Sequence, residues 1–257
     1  MRPAGAPRLV VVRRWQLALA AALAAGLVLA SWSAVNAFTE QERGWAATRT
    51  GLVYFVRTSQ PAVALTFDDG PDPFETPRVL AMLRAGGARG TFFVLANSAE
   101  RYPAIIQSIL AEGSEVGSHS VSHPNMANMS AAAVGREAAA SVATIAKVAG
   151  RPITLFRFPY FSHTAAGVAA VRDLGLTVVE ASVDPKDWAN PGVATIVRRA
   201  TENVRPGDIL LFHDGGGHAQ TLAALPQVID ALRQRGLQMV TVSELLRMGS
   251  PSYEVRP

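Results

Sequence analysis

"AVALTFDDGPDPFETPRVLAMLRAGG", Ala62 to Gly87, contains in order an apolar run, two adjacent aspartates, a Gly-Pro break and a helix-like segment that closes on glycine. The apolar run reads as a strand and the segment from Thr76 as a helix, which together make one βα unit. Successive strand side chains point to opposite faces, so a continuing strand would aim Asp68 and Asp69 apart. Gly70 and Pro71 end the strand there, and the chain turns at once, so both carboxylates can line one cleft. Taken alone, "DDGP" is equally a solvated turn.

Outward from this stretch the same unit repeats. Strand-like runs follow at "GTFFVLA", "SEVGSH", "ITLFRF", "LTVVEASV", "DILLFH" and "LQMVTV". Helix-like segments such as "SAERYPAIIQSILAEG", "SAAAVGREAAASVATIAKVAG" and "TLAALPQVIDALRQRG" separate them. Strands alternating with helices imply a parallel sheet, either barrel or doubly wound. Polar clusters fall just after the strands, where barrel active sites are built, and this favours a closed or nearly closed α/β barrel of about seven strands over residues 61–248. Residues 249–257 read as a solvated tail, and 38–60 as a connector of weak periodicity.

Ahead of the connector, Arg2, Arg8, Arg13 and Arg14 precede the apolar run "LALAAALAAGLVLA" and then small residues up to Ala37. Residues 1–37 thus read as an export signal, with cleavage after Ala37, or as a membrane anchor if the apolar stretch is extended to Val35. Either way the segment engages the membrane or the export machinery and places the body outside the cytoplasm, secreted or held at the outer face of the membrane.

With 257 residues and 49% hydrophobic composition, the chain can bury one large core. It has no cysteine, so any metal must be held by nitrogen and oxygen. The net charge of +4 belongs to the leader: removing its four arginines from 24 basic residues leaves 20, against 20 acidic ones. A neutral body has no basic footprint for nucleic acid. The body is expected to be a monomer.

"SHSVSHP" places His119 and His123 four residues apart after a strand, and Pro124 favours a tight turn over a helix interior there. With an Asp from "TFDDGP", the pair suggests a metal site, the alternative being structural histidines. Arg157 emerges from the apolar strand "ITLFRF" and needs a carboxylate; Asp68 is a candidate, in a catalytic or a merely structural pair. "DPKDW" and "LLFHDGGGH" end the next two strands, although turn chemistry and core packing could account for each alone.

Together "TFDDG", "HSVSHP", "RFPY", "DPKDW" and "LLFHD" resemble, in order, the five motifs of the polysaccharide deacetylase family, the NodB-homology domains of carbohydrate esterase family four. The resemblance covers about residues 61–248 and implies a distorted (β/α) barrel. It implies Asp68 as general base, Asp69, His119 and His123 as metal ligands, Arg157 as the residue that orients the base, and the Tyr160 N–H as an oxyanion donor. Asp187 would tune a catalytic acid, His213, while Trp188, Leu211, Pro159 and Tyr160 would contact substrate. His163, His218 and Asp184 receive no role and read as structural or rim residues. The implied cofactor is a divalent metal, Zn²⁺ foremost, with Co²⁺, Ni²⁺ or Mn²⁺ able to use the same ligands. The implied activity is removal of N-acetyl groups from N-acetylglucosamine-type polysaccharides or oligosaccharides. A rival activity cleaves O-acetyl esters of the xylan type, and a carbohydrate-binding barrel without turnover is an alternative of another class.

Overall fold

The computed structural model describes residues 51–254. The strands are β1 (Leu52–Val53), β2 (Phe55–Arg57), β3 (Ala62–Asp68), β4 (Gly90–Val94), β5 (Glu115–Ser118), β6 (Leu155–Phe156), β7 (Thr177–Val179), β8 (Ile209–His213), β9 (Gln238–Val240) and β10 (Ser250–Ser252). Between them run α1 (Thr76–Ala85), α2 (Ala96–Arg101), α3 (Pro103–Ala111), α4 (Ala131–Ala149), α5 (Ala165–Arg172), α6 (Val193–Thr201), α7 (Ala219–Gln234) and α8 (Val242–Arg247).

The main sheet is parallel throughout, in the order β1-β7-β6-β5-β4-β3-β8, with β9 beside the start of β3. It curls until the segment after β7 meets β8: Ser182 and Val183 donate to the Ile209 carbonyl, and Leu211 donates to Val183 at 2.9 Å. This bridge, in place of a full strand pairing, makes the barrel distorted. All seven strands read from the apolar runs are present.

Alternation along β3 sets up the site. Val63, Leu65 and Phe67 face the helices and pack with Val79 and Leu83 of α1 and Leu225 and Val228 of α7. Ala62 and Ala64 face the barrel interior with Val179, Ile209 and Val240. By the same alternation Thr66 and Asp68 point inward, so the strand ends with a carboxylate at the barrel's mouth. Phe67 stacks on Phe92 and Phe212 of the neighbouring strands at 5.0 and 5.9 Å, fixing the register from outside.

Two segments read as peripheral belong to the fold. Residues 52–57, counted within the connector, form β1, which pairs with β7, and β2, which pairs antiparallel with β10 from the expected tail. Both segments pair with partners far along the chain, which the local sequence does not show. The single helix expected over 98–113 is two, broken at Tyr102 (φ −127°), because Pro103 disfavours helical backbone in the residue before it. Among the described residues no helix is long and apolar enough to cross a membrane. The expected signal or anchor at 1–37, and the cleavage after Ala37, lie outside the described residues.

Candidate active site

The loops after β3, β5, β6, β7 and β8 converge on a cleft of about 480 Å³ at the C-terminal mouth of the barrel. Asp68 ends β3 pointing inward. Asp69 adopts a left-handed backbone (φ 73°), which breaks the strand's alternation and brings its side chain to the same cleft. Aspartate tolerates this conformation better than most residues. Gly70 has no room for a side chain, since a Cβ there would stand 2.6 Å from the Asp214 carboxylate.

The carboxylates then part company. Asp69 Oδ1 lies 3.5 Å from His119 Nε2 and 3.2 Å from His123 Nε2. It is buried and has no hydrogen-bond partner. Tetrahedral ligation at zinc-like bond lengths of about 2.0–2.2 Å puts ligand atoms about 3.3–3.5 Å apart, so the three side chains fit a divalent cation. His119 Nδ1 meets the Arg157 carbonyl at 2.9 Å, which directs its Nε2 at Asp69. Burial lowers the His119 pKa, despite the pull of Asp68 and Asp69, and so favours the neutral imidazole that ligation requires.

Asp68 is held by Arg157. That guanidinium is fully buried and each of its three nitrogens donates: Nη1 to Asp68 Oδ1 and Thr66 Oγ1, both at 2.8 Å, Nη2 to the Glu180 carbonyl at 2.9 Å, and Nε to the Val179 carbonyl at 3.2 Å. The candidate pairing of Arg157 with Asp68 is thus present. The nearby Glu180 carboxyl is pushed up to about 8 by burial, against the pull of Arg157, and its Oε1 stands 3.6 Å from His163 Nε2.

Across the cleft, His213 Nδ1 meets Asp187 Oδ1 at 2.8 Å. Asp187 is buried and also accepts from the His213 and Trp188 main-chain N–H groups and from Thr221 Oγ1. Burial would raise this carboxyl, but the donors around it, His213 foremost, carry it below the usual value. Burial would likewise lower His213, yet its hydrogen bond to Asp187 and the charges of Asp187, Asp68 and Asp69 carry the imidazole up to about 9.

Leu211, Trp188 and Tyr160 line the cleft, and Trp188 and Tyr160 stand largely exposed. Pro159, expected at the substrate, is instead buried at the start of the 159–161 turn and is not part of the lining, whereas Tyr160, in left-handed backbone beside it, is exposed in the cleft. Asp184 and His218 sit on the rim, and His163 packs behind it against Phe158 and Glu180. Sequence reasoning missed Phe158 and Phe161 in the lining and Thr221 on Asp187. The phenylalanines flank "PY", the one available signal; Thr221 lies on a helix and carries none.

The chain matches a family model described as polysaccharide deacetylase over residues 55–179. It is 39% identical over 202 residues to a peptidoglycan-N-acetylglucosamine deacetylase of Bacillus cereus, covering 77% of this chain and 94% of that one. It is 34% identical to a chitooligosaccharide deacetylase of Azorhizobium caulinodans, over 72% of this chain and 94% of the relative. Among solved structures, the Bc1960 peptidoglycan N-acetylglucosamine deacetylase superposes with a TM-score of 0.74 at 30% identity, covering 82% of this chain and 97% of that one.

Proposed function

The chain belongs to the polysaccharide deacetylase family, and from that premise we propose that it is a metal-dependent N-deacetylase working at or outside the cell surface. At the coarser level it is a carbohydrate esterase family 4 deacetylase, a hydrolase acting on N-acetylglucosamine-containing substrates. The observation that carries the finer reading is the parting of the two aspartates: Asp68 bonds Arg157, while Asp69 faces His119 and His123.

Asp69, His119 and His123 would hold the cation. When bound, a divalent cation supplies Lewis acidity, which lowers the pKa of water and polarises an acetamide carbonyl. Asp68 takes the proton of the attacking water, and Arg157 fixes the carboxylate's direction. The Tyr160 N–H donates to the acetyl oxygen as negative charge gathers there, an interaction set up before the charge develops. An amide nitrogen cannot depart as a bare anion, so His213 Nε2–H protonates it while Asp187 holds Nδ1–H and the tautomer. Leu211 and Trp188 wall the acetyl group and the sugar. The export segment read from residues 1–37 motivates the location.

The test is incubation of the metal-loaded protein with chito-oligosaccharides, peptidoglycan fragments and acetylated xylan, measuring acetate and new primary amines. Acetate with stoichiometric amine from a glucosamine polymer is expected. Acetate from xylan alone would replace this reading with an O-acetyl esterase, and no acetate from any of them with a carbohydrate-binding barrel.

A further inference from the structure

Tyr160 and Phe161 are consecutive non-glycine residues in left-handed backbone, at φ 59° and 52°. Bulky side chains are rare in that region because Cβ crowds the carbonyl oxygen that follows, and two in succession persist only where the surroundings hold them. The turn's own hydrogen bonds run from the Phe161 N–H to the Phe158 carbonyl and from the Ser162 N–H to the Pro159 carbonyl, at 3.1 and 3.0 Å. Neither uses the Tyr160 N–H.

The two rings leave the turn toward different halves of the site. Tyr160 packs edge-on against His123, with centroids 4.3 Å apart. Phe161 is half-buried in the cleft lining, and its centroid lies 5.8 Å from the guanidinium carbon of Arg157, the cation that Phe93 contacts from 4.2 Å. A guanidinium fully buried and hydrogen-bonded through all three of its nitrogens is a fixed object, so a ring within cation–π range of it has a fixed partner.

We propose that Phe161 is a positioning residue for the deacetylation: its ring, within cation–π range of Arg157, holds the left-handed Tyr160–Phe161 turn that aims the Tyr160 N–H at the acetyl oxygen. The proposal rests on the role given above to that N–H. It links the residue that orients the base to the donor that receives the developing charge, so one buried cation sets the geometry of both.

The test compares Phe161→Gly, Phe161→Tyr and a His213→Ala control on N-acetylchito-oligosaccharide and on 4-nitrophenyl acetate, with thermal unfolding of each. Glycine removes the ring and also the backbone strain, so its melting temperature should stay within about 3 °C of wild type or rise. Its kcat should fall about 10²-fold on amide and ester alike, the scale of a lost or misaimed oxyanion donor, with KM changed less than about threefold. Phe161→Tyr keeps the ring face and should keep kcat within about threefold. Unchanged kcat in Phe161→Gly, or a rise in KM alone, overturns the proposal, the latter making the ring a substrate wall. Should Phe161→Gly fail to fold, Phe161→Leu replaces it, filling the space without a ring face, and wild-type kcat there is equally fatal. His213→Ala keeps the proposed function separately testable, since its loss should be confined to the amide whatever Phe161 does.

Discussion

Replacing Asp187 with Asn should pull the alkaline limb of turnover down the pH scale. The four groups that meet Asp187 are the His213 Nδ1–H, two main-chain N–H groups and the Thr221 hydroxyl, so an ionised, acceptor-only carboxylate suits them and an amide sets its NH₂ against at least one donor. The His213 imidazole stands at about 9 against an ordinary 6.5, and at 1.36 kcal/mol per pH unit that difference is about 3 kcal/mol. The charges of Asp68 and Asp69 contribute to it, and a bound cation cancels their share, leaving the Asp187 part. The general acid works only when protonated, so wild-type kcat on an amide falls as pH rises through the His213 pKa. Without the carboxylate, burial leaves His213 at or below 6.5, so at pH 7.5 a tenth or less of the enzyme holds the proton, an about tenfold or greater loss. The assay is acetate release from chito-oligosaccharide between pH 5 and 10, with 4-nitrophenyl acetate in parallel because its leaving group needs no proton. An amide limb in Asp187→Asn that coincides with wild type would refute the assignment of His213 as an acid tuned by Asp187.

Arg157→Lys should destabilise the fold although charge is kept, because an ammonium cannot serve Asp68, Thr66 and the Val179 and Glu180 carbonyls together; one stranded buried acceptor costs about 1–3 kcal/mol, seen as a lower denaturant midpoint at unchanged slope. A midpoint equal to wild type would show the network to be dispensable. Asp214→Asn should do the opposite. Burial holds the Asp214 carboxyl up at about 8, against an ordinary 3.8 and despite the bond from Thr76, so the folded protein binds a proton that the unfolded chain releases. Wild type therefore loses stability as pH rises from about 4 to 8, and the melting-temperature advantage of Asp214→Asn should widen from pH 5 to pH 8. A constant difference across that range would mean that Asp214 is ionised in the fold.

The barrel was legible because its strands are apolar runs cut off by polar clusters, and each cluster is where the chain leaves the sheet for the cleft. His119 and His123 were legible from their spacing. Less visible was anything that depends on backbone sign: nothing in "DDG" says that Asp69 turns left-handed, nor in "PYFS" that Phe161 follows Tyr160 into the same region. Pro159 stands in the sequence beside residues that line the cleft, whereas the turn buries it. The strands β1 and β2 share one short apolar run, Leu52–Val56, which does not show that it divides between two sheets, and β10 is made a strand only by its pairing with β2.

Cation content and acetate release, measured side by side in Asp68→Asn and Asp69→Asn, decide whether neighbouring carboxylates divide base from ligand. Asp68→Asn should keep its metal near the wild-type level and lose at least about 10²-fold in kcat, while Asp69→Asn should lose metal and rate together. Equal metal loss in the two variants, or full turnover by exhaustively demetallated wild type, would contradict the division.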